Sequence, residues 1–327
     1  MARIHGGADA QGSPRWDFST CANAAGPCPQ ALAVVRAADP TRYPDPNATV
    51  VRQALAKLHG VEPRRILPAA SASEFIQRIT AVSGRLWPGA VSVPAHAYGD
   101  YAAAAAAWGR PLTGDDEIAT LCWRADPTSP LGQDGDAGGR DAARPTVLDA
   151  VYAPLRLEGA CAWRVETLDA VFVLHSPNKA LGLTGVRGAY AVAPLAAAYD
   201  SEALCQALEA AAPSWPLSAQ SEAMLLSWST PAAQAWVAHS LDTLAAWKSD
   251  LQRRLTERGF SLRPSVTPFF ITRPPQPLDL SSLRAEGLAV RDTASFGLPG
   301  CWRVSAQPPH AQEALMRGID AAQRNAA

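Results

Sequence analysis

The sequence predicts an α/β fold: a mostly parallel, doubly wound sheet in a large domain, followed by a smaller α+β domain. Three observations carry this. Short apolar runs alternate with Ala-rich stretches of helical character, the order in which parallel strands are joined by crossover helices. The chain has 327 residues, more than one core usually fills, so one large and one small domain are expected. Chemistry-bearing residues fall just after apolar runs, and doubly wound sheets bind ligands at those strand ends.

In chain order, Thr49 to His59 reads as a helix and Ile66-Leu67 as a strand. A helix follows over Ser73 to Ser83, opened by Ser71 and Glu74 at the Ser-x-x-Glu spacing of a capping box. Ala90 to Val93 is a strand, Tyr101 to Trp108 a helix, and Leu121 to Trp123 and Val147-Leu148 are strands. Between the last two, Asp134 to Arg144 is rich in Gly, Asp and Ala and reads as a loop. Val171 to Leu174 and Ala189 to Ala193 are strands, and Leu195 to Ala211 is a helix. A long helical stretch, Gln220 to Arg258, leads into the small domain. Its strands are Phe269 to Thr272, Leu288 to Val290 and Trp302 to Val304. The expected division is an N-terminal segment over 1–40 packing with the small domain, a large domain over 41–225 and a small one over 226–327.

The run from Val171 to Tyr190 holds the densest chemistry. Its apolar strand ends in Ser176, with Lys179 three residues on and Arg187 after a glycine-bearing segment. A lysine just past a buried strand loses hydration, which lowers its pKa and frees the amine to form a Schiff base. A hydroxyl and a guanidinium nearby could hold a phosphate. Lysine, serine and arginine together are what pyridoxal phosphate needs, an imine partner and a phosphate anchor. Ser-x-x-Lys also occurs in penicillin-binding proteins, but their Ser-Asp-Asn and Lys-Thr-Gly tripeptides are absent here. About thirty residues upstream, Asp149 ends a short strand, where a carboxylate could pair with a protonated pyridine nitrogen. The ordinary alternative is a helix N-cap. Tyr152 could donate to the ring's phenolic oxygen.

With Asp149, Tyr152, Ser176, Lys179, Gly182, Leu183, Gly185 and Arg187 in this order, the chain resembles the class I/II aminotransferases, fold type I of the pyridoxal phosphate enzymes. The resemblance implies a mostly parallel seven-stranded-type sheet, pyridoxal 5′-phosphate as cofactor, a small-molecule amino-acid substrate and a homodimer. Arg42-Tyr43-Pro44-Asp45-Pro46 resembles the family's Tyr-Pro-Asp segment, which implies that Tyr43 reaches the cofactor phosphate of a neighbouring subunit. Ser71, Ala72 and Ser73 resemble the turn that opens a helix onto the phosphate, where free N–H groups attract an anion. Tyr98 corresponds to the tyrosine that stacks on the ring, and Arg303 to the arginine that holds the substrate carboxylate.

The opening residues narrow the resemblance. His5-Gly6-Gly7, Asp17-Phe18-Ser19, Asn23 and Gly26-Pro27 are similar to the start of threonine-phosphate decarboxylases of cobalamin synthesis, with histidinol-phosphate aminotransferases the nearest relatives. The resemblance assigns His5, Asn23 and Arg291, with Arg303, to the substrate's phosphate and carboxylate. A flexible leader is the other reading of His5-Gly6-Gly7. Decarboxylation of a phosphorylated amino acid is the first expectation, transamination the second, and a non-catalytic binding protein the third.

Departures stand beside the matches. Ser129 occupies the place of the asparagine that bonds the ring's phenolic oxygen, and its reach is shorter. Ala69 and Ser71 stand where the phosphate turn has glycines, and a Cβ there disfavours φ > 0. Cys21 and Ser218 each replace an asparagine.

Net charge is −1 with no basic stripe, which argues against nucleic acid. No apolar run reaches ~18 residues, so no membrane span is expected. The first residues lack the apolar core of a secretion signal. The six cysteines form no Cys-x-x-Cys pair, which argues against zinc and fits free thiols in a cytoplasmic enzyme.

Overall fold

The computed structural model describes residues 5–136 and 144–326. Expectations for Met1 to Ile4 and for the middle of the Asp134 to Arg144 loop lie outside the described residues. The elements are β1 (Trp16–Asp17), α1 (Pro29–Ala37), α2 (Thr49–His59), β2 (Ile66–Ala69), α3 (Ala72–Leu86), β3 (Ala90–Ser92), α4 (Gly99–Ala107) and β4 (Leu112–Thr113). Then come β5 (Ala119–Ala125), β6 (Thr146–Asp149), α5 (Val165–Leu168), β7 (Phe172–His175), β8 (Ala189–Val192), α6 (Ser201–Ala210), α7 (Ala219–Trp228) and α8 (Pro231–Thr256). The chain ends with β9 (Ser261–Leu262), β10 (Phe269–Arg273), α9 (Leu280–Ala285), β11 (Leu288–Ala289), β12 (Arg291–Asp292), β13 (Trp302–Ser305) and α10 (Pro309–Ala326).

Seven strands form the large sheet in the order β2-β8-β7-β6-β5-β3-β4. β8 runs antiparallel to both its neighbours and the other pairings are parallel. The fold is therefore α/β with a mostly parallel seven-stranded sheet, as the alternation of runs predicts. Successive side chains enter opposite faces, as strand geometry requires. Ile66 joins a core with Leu55, Tyr190 and Met224, while the adjacent Leu67 joins one with Phe75, Val147 and Phe172. A second sheet, β12-β13-β10-β9, packs on α8 and α10 around Phe270, Val304, Leu251 and Ile319. Phe18 enters this second core, and β1 pairs with β11.

Two expected helices have different limits. α6 starts at Ser201, not Leu195, because the Asp200 side chain caps it by accepting from Ala203 N. The N–H groups of Leu195 and Ala196 bond to the Asp169 carbonyl instead. The stretch Gln220 to Arg258 is two helices, α7 and α8. Thr230 caps the second by accepting from Ala233 N, and Pro231, having no N–H, cannot continue the first. Helices α1, α5, α9 and α10 and strands β1, β4, β9 and β12 have no counterpart in the sequence reading.

Candidate active site

The register of the large sheet gathers the predicted residues. Ala125, Asp149 and Leu174 are aligned neighbours at the C-terminal ends of β5, β6 and β7. The loops bearing Ser129, Tyr152 and Ser176 to Lys179 therefore leave the sheet side by side. Lys179 Nζ lies 4.3 Å from the centroid of the Tyr152 ring and 6.0 Å from that of Tyr98. Burial pulls its amine below lysine's usual range, opposed by Tyr98 and Asp149. The loop itself is held rigidly. Leu183 N donates to Asn178 O at 2.7 Å and Asn23 N to Lys179 O at 2.9 Å. Gly182 is required here: its φ is +66°, and a Cβ would meet the Gly26 carbonyl oxygen at 2.6 Å.

Asp149 accepts from Tyr101 Oη at 2.6 Å and from Val151 N at 3.0 Å. Burial raises its carboxyl pKa, while the Tyr101 hydrogen bond and the Lys179 charge hold it down. Tyr101 is fixed by stacking on Trp123 at 4.3 Å, and Tyr98 stands edge-on to it at 5.8 Å. Tyr152 is buried and meets Phe269 edge-on at 4.7 Å; burial raises its phenol, and the Cys21 thiol is beside it.

Ser71 caps α3, its Oγ accepting from Glu74 N at 3.1 Å, and Glu74 Oε2 accepts from Ala70 N at 3.2 Å. Ser71 is in extended backbone with φ −168°, so the turn needs no glycine there. The capping and phosphate-turn readings are compatible, since the first N–H groups of a helix have no intrahelical partner. Ser73 Oγ lies 3.4 Å from Tyr98 Oη, tying Ala72–Ser73 to the ring wall. Ser129 lies in a loop held by buried Asp126, which accepts from Gly135 N, Ala162 N and the Arg156 guanidinium. Ser176 is buried and donates to Asn178 Oδ1 at 2.9 Å. Arg187 is exposed, and Tyr43, 78 % exposed, stacks on Trp215 at 4.4 Å.

The substrate candidates separate. Arg291 and Arg303 are cross-strand partners on β12 and β13, both buried. Arg291 donates to Asp292 O and Ser295 Oγ, and burial lowers its pKa. Arg303 donates to Ser19 O at 3.2 Å, but its Nε, in a side chain only 8 % exposed, has no hydrogen-bond partner among the described residues. Phe296 lies under both guanidiniums. Asn23 faces inward: its amide donates to Ala180 O at 3.0 Å and Ser240 Oγ at 2.7 Å. Both amide hydrogens are thus spent on holding the N-terminal segment against the Lys179 loop. The substrate role that the resemblance implies for Asn23 would require its amide to leave these partners. His5 is exposed, but Gly7 N donates to Ser19 Oγ at 2.8 Å, and a Cβ on Gly6 would meet Ser19 O at 2.5 Å. The His5-Gly6-Gly7 segment is thus folded onto the strap that Arg303 holds.

Five further residues shape the site. Tyr101 and Trp123 orient Asp149, and Phe269 and Phe296 line the arginine side. His96 Nδ1 bonds Phe296 O at 2.8 Å, joining the Tyr98 loop to the second sheet. Only Tyr101 carried a signal, as the second tyrosine of the Tyr98-Gly99-Asp100-Tyr101 run; Trp123 is recognisable once β5 is packed on Tyr101, and Phe269, Phe296 and His96 only once the two sheets meet.

Residues 142–321 match the family model described as aminotransferase class I and II. A histidinol-phosphate aminotransferase of Paramagnetospirillum magneticum is 28 % identical over 324 residues, covering 88 % of this chain and 86 % of that protein. Among solved structures, the histidinol-phosphate aminotransferase of Sinorhizobium meliloti, in complex with pyridoxal-5′-phosphate, superposes with a TM-score of 0.77 at 22 % identity, covering 96 % of this chain and 92 % of that one. The L-threonine-O-3-phosphate decarboxylase of Porphyromonas gingivalis superposes with a TM-score of 0.72 at 19 % identity, covering 93 % and 98 %.

Proposed function

Because this chain belongs to the aminotransferase class I and II family, we propose that it transfers the amino group of a phosphorylated amino compound, as a pyridoxal 5′-phosphate enzyme. The observation that carries the reading is the Lys179 amine, held below its usual pKa between the Tyr98 and Tyr152 rings with Asp149 nearby. The residues fit the cofactor. Ser71 to Ser73 at the α3 N-terminus, Ser176 and Arg187 would hold its phosphate, Tyr98 its ring face, and Asp149 its ring nitrogen. Ser129 and Tyr152 would flank its phenolic oxygen. When bound, the cofactor supplies an electron sink for bonds at the substrate's Cα.

The chain's own residues do the rest. Lys179, desolvated, releases its amine proton readily and can return a proton at the substrate's Cα. Asp149, fixed by Tyr101 and Val151 N, holds a negative charge where a ring cation would lie. Arg303, with a buried unpartnered N–H, is poised for the substrate's carboxylate, and its neighbour Arg291 for a second anion. Tyr43, exposed beside Trp215, belongs to the same proposal as the side chain that completes a homodimeric site. A monomer with full cofactor affinity in sedimentation would refute that part.

The relatives matched over most of their length are named histidinol-phosphate aminotransferases, which weighs transamination above the decarboxylation that the opening residues suggest. Decarboxylation of threonine phosphate remains the second reading, because His5-Gly6-Gly7 is folded against Ser19 next to Arg303. The deciding experiment supplies cofactor, an oxo-acid acceptor, and either histidinol phosphate or threonine phosphate. Amino transfer to the acceptor without CO2 release is expected. CO2 released from threonine phosphate, with no transfer from either compound, would reverse the order.

A further inference from the structure

Ser176 and Asn178 flank Pro177 in the turn between β7 and Lys179, and all three are buried. The backbone of this turn is fastened: Leu181 N donates to Pro177 O at 2.9 Å and Leu183 N to Asn178 O at 2.7 Å. Only side chains are free to change there. Ser176 Oγ donates its single proton to Asn178 Oδ1 at 2.9 Å. In this arrangement its proton is held by Asn178, so donating to a phosphate means giving up that bond. The amide's other end is weakly held, Nδ2 reaching Thr184 O at 3.5 Å. Asn178 is 2 % exposed, so its second N–H is shielded from water as well.

An amide's oxygen and nitrogen fill nearly the same volume, so a half-turn about its last bond disturbs no packing. After that turn Nδ2 donates to Ser176 Oγ, and the serine proton is released toward the site. The cost is the weak hydrogen bond to Thr184 O, whose oxygen then faces the amide Oδ1, and the new bond from Ser176 to the phosphate must offset both. We propose that Asn178 is a positioning residue for the cofactor phosphate, its amide turning on binding so that Ser176 changes from a donor to Asn178 into a donor to the phosphate. This rests on the proposed function, in which Ser176 holds that phosphate.

Asn178→Asp tests it with almost no change of shape. A carboxylate can only accept, so it keeps the serine proton. Binding is read from the visible absorbance of bound pyridoxal 5′-phosphate, with pyridoxal, which lacks the phosphate, as the paired probe. The ratio of the two affinities isolates the phosphate. Asn178→Asp should lower that ratio roughly 30-fold, equivalent to about 2 kcal/mol. In a Ser176→Ala background the same substitution should lower it less than about 3-fold, because the proton it traps is gone. An unchanged ratio in Asn178→Asp would overturn the inference. So would equal losses in both backgrounds, since the aspartate would then act on the phosphate by its charge alone. A wild-type chain that binds neither probe would overturn the proposed function along with it.

Discussion

Lys179 and Arg303 lie close enough to feel each other's charge, yet the chain reaches them by different routes. Around Lys179, short-range sequence supplies most of the parts. Ser176, Asn178, Leu181 and Gly182 are within six residues, and β6 and β7 place Asp149 beside them by register alone. Around Arg303, Arg291 and Phe296 are near in sequence, but Ser19 of the N-terminal strap and His96, which pins Phe296, come from far along the chain. The hydrogen bonding differs accordingly. Asp149 has two protein donors, whereas Arg303 Nε has no acceptor among the described residues. On the proposed function, the second region is where a substrate anion would bind.

The largest expected effect lies in the first region. Lys179→Ala should abolish the visible band of bound cofactor and cut turnover by roughly 10⁴-fold, while Arg303 remains available to substrate carboxylate. An unchanged spectrum in the variant would remove Lys179 from the chemistry and leave the comparison without its first half.

The second region is tested by asking whether its two arginines read different groups. Arg291→Ala should weaken kcat/KM for a phosphorylated substrate by roughly 10- to 100-fold, the worth of a charged hydrogen bond, and spare the unphosphorylated analogue. Arg303→Ala should weaken both. Arg291 already donates to Asp292 O and Ser295 Oγ, so phosphate must draw its guanidinium from existing bonds. Equal losses for both substrates in Arg291→Ala would mean that it supports Arg303 rather than reading phosphate.

The same contrast explains what the sequence made legible. Asp149 and Lys179 were readable because each follows its own buried strand, and parallel register does the rest. Ser71 was readable as a cap. Its φ of −168° shows why the absent glycine matters little: the turn never enters the left-handed region. The partners of Asn23 were not readable, because sequence position says nothing about which way a buried amide points; Ala180 and Ser240 are 157 and 217 residues away. The break between α7 and α8 was written in Thr230-Pro231, but helical composition on both sides masked it. Phe296, His96 and Phe269 had no local signature, since their role depends on two sheets meeting.

The smallest effect concerns the packing behind β7, which keeps the Lys179 side rigid. His175, the last residue of β7, stacks on Tyr190 at 5.0 Å and lies 4.7 Å from the His59 ring. His59 Nε2 and Trp228 Nε1 both meet Tyr190 Oη, at 2.8 and 3.1 Å. Burial lowers the His59 pKa from 6.5 to about 4, and lowers His175 well below its usual value. The folded protein thus keeps both rings neutral, and the unfolded chain binds their protons first. Stability from this cluster is full above the unfolded pKa of 6.5 and is lost as pH falls from there toward about 4. From neutrality to about pH 5.5, His59 alone should cost about 1 kcal/mol. His59→Phe should remove that share of the slope in urea unfolding followed by tryptophan fluorescence, while neutral-pH folding persists. An identical slope in wild type and His59→Phe would show that the acid response originates elsewhere, and that the rigidity of the Lys179 side does not depend on an uncharged His59.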